Sequence, residues 1–261
     1  MQTENKDFCK ILFSPYAIKQ TGIICNRCKL QINDYTLACA PYELSKEAVQ
    51  ILTSLDPREY SLFTNRNKRF CLISFTFQNI FTQSYEETLI RGEIMKIEPL
   101  KDKENFYFIK LKIFNCPPDV SRMIDEYFKN YSSLQTDYEK LKDSFVYIDA
   151  ENIDILPVNT ISLIVKSKIE KHILIYKFST QKIVFLVHEE NSSIPPDTEI
   201  TLRFYCEKCR FDVSGNVFSL KQYAPDALCM IMQIPFSPEL TEMVSGYHKQ
   251  ILNDIELLQV I

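Results

Sequence analysis

The chain has 261 residues, is 46% hydrophobic and 25% charged, and carries a net charge of −4. That is enough chain for two modest domains, and the acidic balance argues against a general binder of nucleic acid or other polyanions. Only four glycines are present, and neither Gly-x-Gly-x-x-Gly nor Gly-Lys-Ser/Thr occurs, which excludes the glycine-rich phosphate loops.

In chain order, "MQTENKDFCKILF" lacks a basic start followed by a long apolar run, so it reads as neither a signal peptide nor a lipidation motif. No apolar run approaches ~18 residues, so no membrane insertion is expected. The nine cysteines, an odd number without an export signal, imply thiols in a reducing cytoplasm. "GIICNRCKLQI" and "YTLACAPYEL" read as strands. "SKEAVQILTSL" (Ser45 to Leu55) reads as a helix capped by Ser45, with a further turn or helix from Asp56–Pro57.

Four later segments of the first half each have a partner in the second. "RFCLISFTF" (from Arg69) matches "TEITLRFY" (from Thr198), and "IRGEIMKIEP" matches "VSGNVFSLKQ", which aligns Gly92 with Gly215. "FYFIKLKIF" matches "LCMIMQIPF". Finally "PPDVSRMIDEYF" matches "FSPELTEMVSGYH", pairing Pro118 with Pro238, Met123 with Met243 and Tyr127 with Tyr247. The shared order is strand, strand, strand, proline-started helix, and it predicts an internal duplication. The join, Lys129 to Ser144, is polar and helical after Tyr131. "NTISLIVKS", "KHILIYKF" and "KIVFLVH" read as three strands of the second unit, with lysines of "KSKIEK" on a solvated strand edge. The opening halves of the units look less alike than their closing halves. The expected class is mainly β with α (α+β): two tandem small antiparallel barrels or sandwiches, divided as 1–131 and 132–261.

Two Cys-x-x-Cys pairs, Cys25–Cys28 and Cys206–Cys209, have the spacing of a zinc knuckle and are read at two-residue hairpin turns. Lys29 and Arg210 stand where knuckles carry glycine, and the pairs fall at non-equivalent places in the two units. Small apolar cysteines in or beside strands are therefore the expected reading, with zinc at Cys25, Cys28, Cys206 and Cys209 as the alternative. His172, His188 and His248 belong to no catalytic signature, so no enzyme is expected.

This layout of strands, a glycine-bearing hairpin and a closing helix after proline resembles the PilZ-type barrel. The tandem resembles bacterial two-domain receptors in which a PilZ-like N-terminal barrel precedes a PilZ barrel that binds cyclic di-GMP. The resemblance implies two ligand elements: Arg-x-x-x-Arg in the linker and Asp/Asn-x-Ser-x-x-Gly at a turn between early strands. "DVSG" (Asp212 to Gly215) is not the second, because it lies in the later hairpin. The expected place is "ILIYKFSTQKIVFL", where Ser179 is kept but Lys177 and Lys182 replace the acid or amide and the glycine. No arginine occurs between Arg122 and Arg203, so the clamp is missing. Lysine offers a point charge and cannot supply the guanidinium fork; losing two bidentate contacts costs about 10² to 10⁴ in affinity.

The resemblance with those losses implies a non-enzymatic interaction or regulatory module, a scaffold in motility or envelope machinery, with a protein partner and no cofactor. The alternative is a cyclic-di-GMP receptor with an altered pocket built from Lys177, Ser179, Lys182 and the linker lysines Lys140 and Lys142.

Overall fold

The structure, a computed structural model, describes residues 10–64, 70–78, 83–149, 160–165, 169–188, 194–206, 210–224 and 227–258. The expectations for the N-terminal nine residues, the first lysines of "KSKIEK" and Cys209 lie outside the described residues. The chain divides into two compact units, Met1–Asn130 and Tyr131–Ile261.

The first unit contains β1 (Ile11–Leu12), α1 (Pro15–Thr21), β2 (Lys29–Ile32), β3 (Tyr35–Ala38), β4 (Ala40–Leu44) and β5 (Ala48–Ser54). Then come α2 (Pro57–Thr64), β6 (Phe70–Gln78), β7 (Tyr85–Pro99), β8 (Phe106–Ile113) and α3 (Pro118–Lys140), whose later turns belong to the second unit. The second unit continues with β9 (Val146–Tyr147), β10 (Thr160–Val165), β11 (Ile169–His172), β12 (Leu174–Phe178) and β13 (Lys182–His188). It closes with β14 (Glu199–Tyr205), β15 (Arg210–Ala224), β16 (Ala227–Gln233) and α4 (Pro238–Leu258).

Each unit holds one eight-stranded antiparallel sheet. The hydrogen-bonded order is β1-β4-β5-β8-β7-β6-β2-β3 in the first and β9-β12-β13-β16-β15-β14-β10-β11 in the second. The two orders are the same permutation, so every strand of one unit has a counterpart in the other. Registers agree as well. The β4–β5 pair has a bulge between Pro41 and Glu43, and the β12–β13 pair has one between Ile175 and Lys177. The β7–β8 pair shifts between Ile94 and Lys96, two residues after Gly92; the β15–β16 pair shifts between Val217 and Ser219, two residues after Gly215.

This equivalence corrects the expectation that the opening halves differ. "SKEAVQILTSL" is not a helix: Ser45 turns the chain between β4 and β5, and Ala48–Ser54 is a strand. Val49, Ile51 and Thr53 point inward in strict alternation, the period of a sheet with one covered face. Cys25–Arg27 is a single 3-10 turn rather than a hairpin, with β2 starting only at Lys29. Helix α1, absent from the sequence reading, precedes both expected strands; Ser14 caps it through the N–H of Ala17, Pro15 stands in its first turn and Gly22 ends it.

Each unit contains a proline-started helix with buried apolar residues. Val120, Ile124 and Tyr127 of α3 are buried in the first, and Leu240 and Val244 of α4 in the second, where they join a core of Phe178, Phe185, Phe204 and Met230. The buried residues recur at three- and four-residue spacing, the apolar stripe of an amphipathic helix.

Candidate functional site

The turn between β12 and β13 carries the residues singled out in the sequence. Ser179 is fully buried. Its hydroxyl donates to the carbonyl of Lys142 at 2.7 Å and accepts from the N–H groups of Gln181 and Lys182 at 3.3 and 3.2 Å. The neighbouring Thr180, also fully buried, donates to the carbonyl of Tyr138 at 2.7 Å. Two hydroxyls thus pin the turn to the last turn of α3 and to the chain just after it. Lys142 enters this arrangement through its backbone, with its side chain exposed, and Lys140 is the exposed last residue of α3.

Lys182 faces Asp143, Nζ to carboxylate oxygen 3.5 Å. Lys177 stands among three rings: its Nζ lies 4.5 Å from the centroid of Phe145, 5.0 Å from Tyr147 and 5.9 Å from Tyr176. It also donates to the Tyr147 hydroxyl at 3.4 Å. Tyr147 and Tyr176 meet edge-on at 5.8 Å, and both are about half exposed. An ammonium over ring faces is held by the ring quadrupole, worth about 0.5–1 kcal/mol at an exposed site. The sequence reasoning missed these rings. Their signal was the aromatic content of "SFVYID" and "ILIYKF", which the β9–β12 pairing of Tyr147 with Lys177 brings together.

The turn has its counterpart in the first unit. Ser45 accepts from the N–H groups of Glu47 and Ala48 at 3.3 and 3.0 Å, as Ser179 does from Gln181 and Lys182. Its hydroxyl donates to the carbonyl of Ala48, within its own turn.

"DVSG" lies inside β15. Asp212 accepts two hydrogen bonds from the Arg203 guanidinium at 2.8 and 2.9 Å, and Ser214 is bonded to Thr201 across the same pair of strands. The Arg203 hydrogen bond, first among the causes, holds the Asp212 carboxyl below the ordinary aspartate value. Gly215 sits against the backbone of Gln233, where a side chain would collide.

Of the cysteine pairs, Cys28 is buried and Cys25 half-buried, while Cys206 packs against the core of the second unit just after β14. Burial pushes the Cys28 thiol up to about 12. Among the described residues no group of three or more His, Cys, Asp or Glu is placed to hold a metal ion. His172 and His188 lie in strands, and His248 lies within α4 with its Nε2 3.4 Å from the carbonyl of Ser144. Among the described residues no helix is long and apolar enough to cross a membrane.

No family model and no curated protein matches the chain. It is similar to the solved structure of the PlzA protein of Borreliella burgdorferi in complex with c-di-GMP, with 15% identity, 91% of this chain and 93% of that one covered, and a TM-score of 0.43. It is also similar to the inhibitor of motility MotI/DgrA of Bacillus subtilis, with 12% identity, 88% and 98% covered and a TM-score of 0.32. A third is YcgR of Escherichia coli in complex with c-di-GMP, with 8% identity, 92% and 88% covered and a TM-score of 0.31. Two of these structures contain c-di-GMP.

Proposed function

We propose that this chain is a non-enzymatic regulatory module of the PilZ kind that acts through a protein partner. In this reading the two sheets are two barrels, each closed by the helix at its end, with domains 1–131 and 132–261. The second barrel has lost most of the family's means of gripping cyclic di-GMP. The observation that carries this is Ser179: its hydroxyl is buried and engaged with Lys142, Gln181 and Lys182, so it serves the turn. Around it the cations are engaged too, Lys182 with Asp143 and Lys177 with three rings.

A receptor with an altered pocket is the second reading, favoured by the half-exposed Tyr147 and Tyr176 beside Lys177. Rings of that kind stack on bases, and an ammonium attracts phosphate.

Calorimetric titration with cyclic di-GMP at near-physiological salt separates the two. The interaction reading expects no heat at high micromolar ligand. A submicromolar dissociation constant that Lys177→Ala abolishes would replace it with the receptor reading.

A further inference from the structure

The duplicated frame separates what the fold demands from what one unit adds. The register of β2 with β3 runs from Ile32 opposite Tyr35 to Lys29 opposite Ala38, and one step further it sets Cys28 opposite Cys39. The N–H of Cys39 donates to the Cys28 carbonyl at 3.0 Å. In the counterpart strands β10 and β11, Ser162 stands opposite His172, and one step further come Ile161 and Ile173. There the N–H of Ile173 donates to the Ile161 carbonyl, also at 3.0 Å. Two isoleucines thus satisfy the frame, and thiols at both positions are an addition of the first unit.

Residues directly opposite in an antiparallel pair project to the same face. Their Cα atoms are about 4.5–5.5 Å apart, within the range of about 4.4–6.8 Å that a disulfide spans. Cys28 and Cys39 continue the inward row of Leu30, Ile32 and Leu37, and both are buried. Cys25 lies three residues before Cys28, across the 3-10 turn, a spacing at which side chains eclipse one another. It is half-buried, so it is the most accessible of the three.

The three thiols are within electrostatic reach of one another. Burial is the main reason that the Cys28 and Cys39 thiols stand at about 12; an ionised Cys25 raises Cys28 further, and an ionised Cys28 raises Cys39. Cys25, Cys28 and Cys39 therefore form a path from the surface into the core of the first unit.

We propose that Cys28 and Cys39 are a redox pair, oxidised by hydroperoxides through Cys25 to a buried cross-strand disulfide that staples the β2–β3 hairpin. The Cys25 sulfur takes one oxygen from the hydroperoxide as the O–O bond breaks, giving a sulfenic acid and releasing an alcohol, or water from hydrogen peroxide. Cys28 displaces that oxygen as water, using its own thiol proton, and the Cys25–Cys28 bond forms. Cys39 then attacks the Cys28 sulfur, and Cys25 leaves as a thiol with the proton that Cys39 gives up. In sum, two thiols and one hydroperoxide become one disulfide, one water and one alcohol, and two electrons pass from sulfur to oxygen. A disulfide is neutral, so it escapes the desolvation that burial imposes on a thiolate, and the exchange returns the more accessible sulfur to the thiol form.

The test treats the full chain with hydrogen peroxide, removes the excess with catalase, blocks the remaining thiols with N-ethylmaleimide in denaturant and maps the unreduced tryptic peptides by mass spectrometry. Cleavage after Arg27 and Lys29 puts the three cysteines on three separate peptides. The expected product joins the Cys28 peptide to the Cys39 peptide and is lighter than the reduced pair by two hydrogens. Cys71 is as buried as Cys39 but faces Gly92, and it stays a thiol. Cys25→Ser slows the linkage about tenfold, because the accessible thiol is gone. Oxidation raises the urea midpoint by constraining the unfolded chain, and Cys39→Ala, which cannot form the bond, shows no such rise. Four results overturn the proposal: no Cys28–Cys39 peptide at peroxide concentrations that oxidise half of Cys25, an end product that joins Cys25 to Cys28, linkage as fast in Cys25→Ser as in the parent chain, or Cys71 oxidised as fast as the pair. None of these outcomes bears on the protein-partner reading, which the cyclic di-GMP titration tests by itself.

Discussion

Gly92 and Gly215 occupy the same point of two different sheets. A Cβ built on Gly92 would lie 2.7 Å from the carbonyl oxygen of Lys112, and one built on Gly215 would collide with the carbonyl oxygen of Gln233. Lys112 pairs with Ala48 and Gln233 with Lys182, the first residues of β5 and β13. The same close approach of two backbones therefore recurs where the same pairs of strands meet. Neither glycine is needed for a left-handed backbone; each is needed for space.

Alanine at either position should therefore be destabilising, by about 1–3 kcal/mol, because the added methyl must push backbone aside. Gly215→Ala should cost more, since the side chains of Ile234 and Met232 also stand 2.9 Å from the new Cβ. Gly246, inside α4 with nothing within 4 Å, gives the opposite sign: Gly246→Ala should stabilise by about 0.5–1 kcal/mol through helix propensity. Urea unfolding of the three variants checks all three signs.

The closing half of each unit was legible because its features are local. Alternating strands, a proline at each helix start and a glycine at a close approach all leave marks in the sequence. Ser45 shows why the opening half was not. A helix N-cap and this β-turn use the same bonds, a serine hydroxyl accepting from the N–H groups two and three residues on. Glu47, Ala48, Gln50 and Leu52 favour helices, and only pairing with β4 and β8 makes them a strand. Helix α1 did carry local signals, Ser14, Pro15 and Gly22. The ring cluster around Lys177 was beyond reach, since Tyr147 and Tyr176 meet only through β9–β12 pairing.

Ser179 and Ser45 should respond differently to loss of the hydroxyl. Ser179→Ala removes a buried donor to the Lys142 carbonyl and should cost about 1–3 kcal/mol. Ser45→Ala disturbs bonds that stay within one half-buried turn and should cost less. Lys177→Glu should leave stability within about 0.5 kcal/mol, as a surface substitution does. Equal losses in the two serine variants would show that the tie to Lys142 contributes nothing.

Asp212 predicts a modest acid dependence. Its folded value is lowered, so its contribution is present above the unfolded aspartate value and is lost as pH falls through the folded one. The carboxylate is 43% exposed, so solvent screening keeps the contribution of the pair below about 1 kcal/mol. Asp212→Asn should lower stability at neutral pH by that small amount and flatten the acid limb of the stability curve below about pH 4. Unfolding free energies measured across the acid range for both chains decide it; an unchanged acid limb would show that Arg203 does not hold the carboxylate in solution.

The cysteines allow the metal question to be put kinetically. Cys28, Cys39 and Cys71 are buried, and desolvation pushes each thiol up to about 12. At mildly alkaline pH each then presents about a thousandfold less of the reactive thiolate than an unperturbed thiol, on top of being out of reach. Cys25, Cys116, Cys206 and Cys229 are half-buried. Among the described cysteines, native alkylation should therefore modify these four first. The buried three should follow only at a rate set by opening of the sheet that covers them, slowing with every stabilising change and rising steeply in urea. Zinc binds thiolate, so a true ligand pair is shielded by the metal. Equimolar zinc should leave the modification rates of Cys25 and Cys206 as they were, as the reading of Cys28 as a core residue expects. A zinc-dependent fall in both rates, lost in Cys28→Ser, would instead establish the knuckle reading.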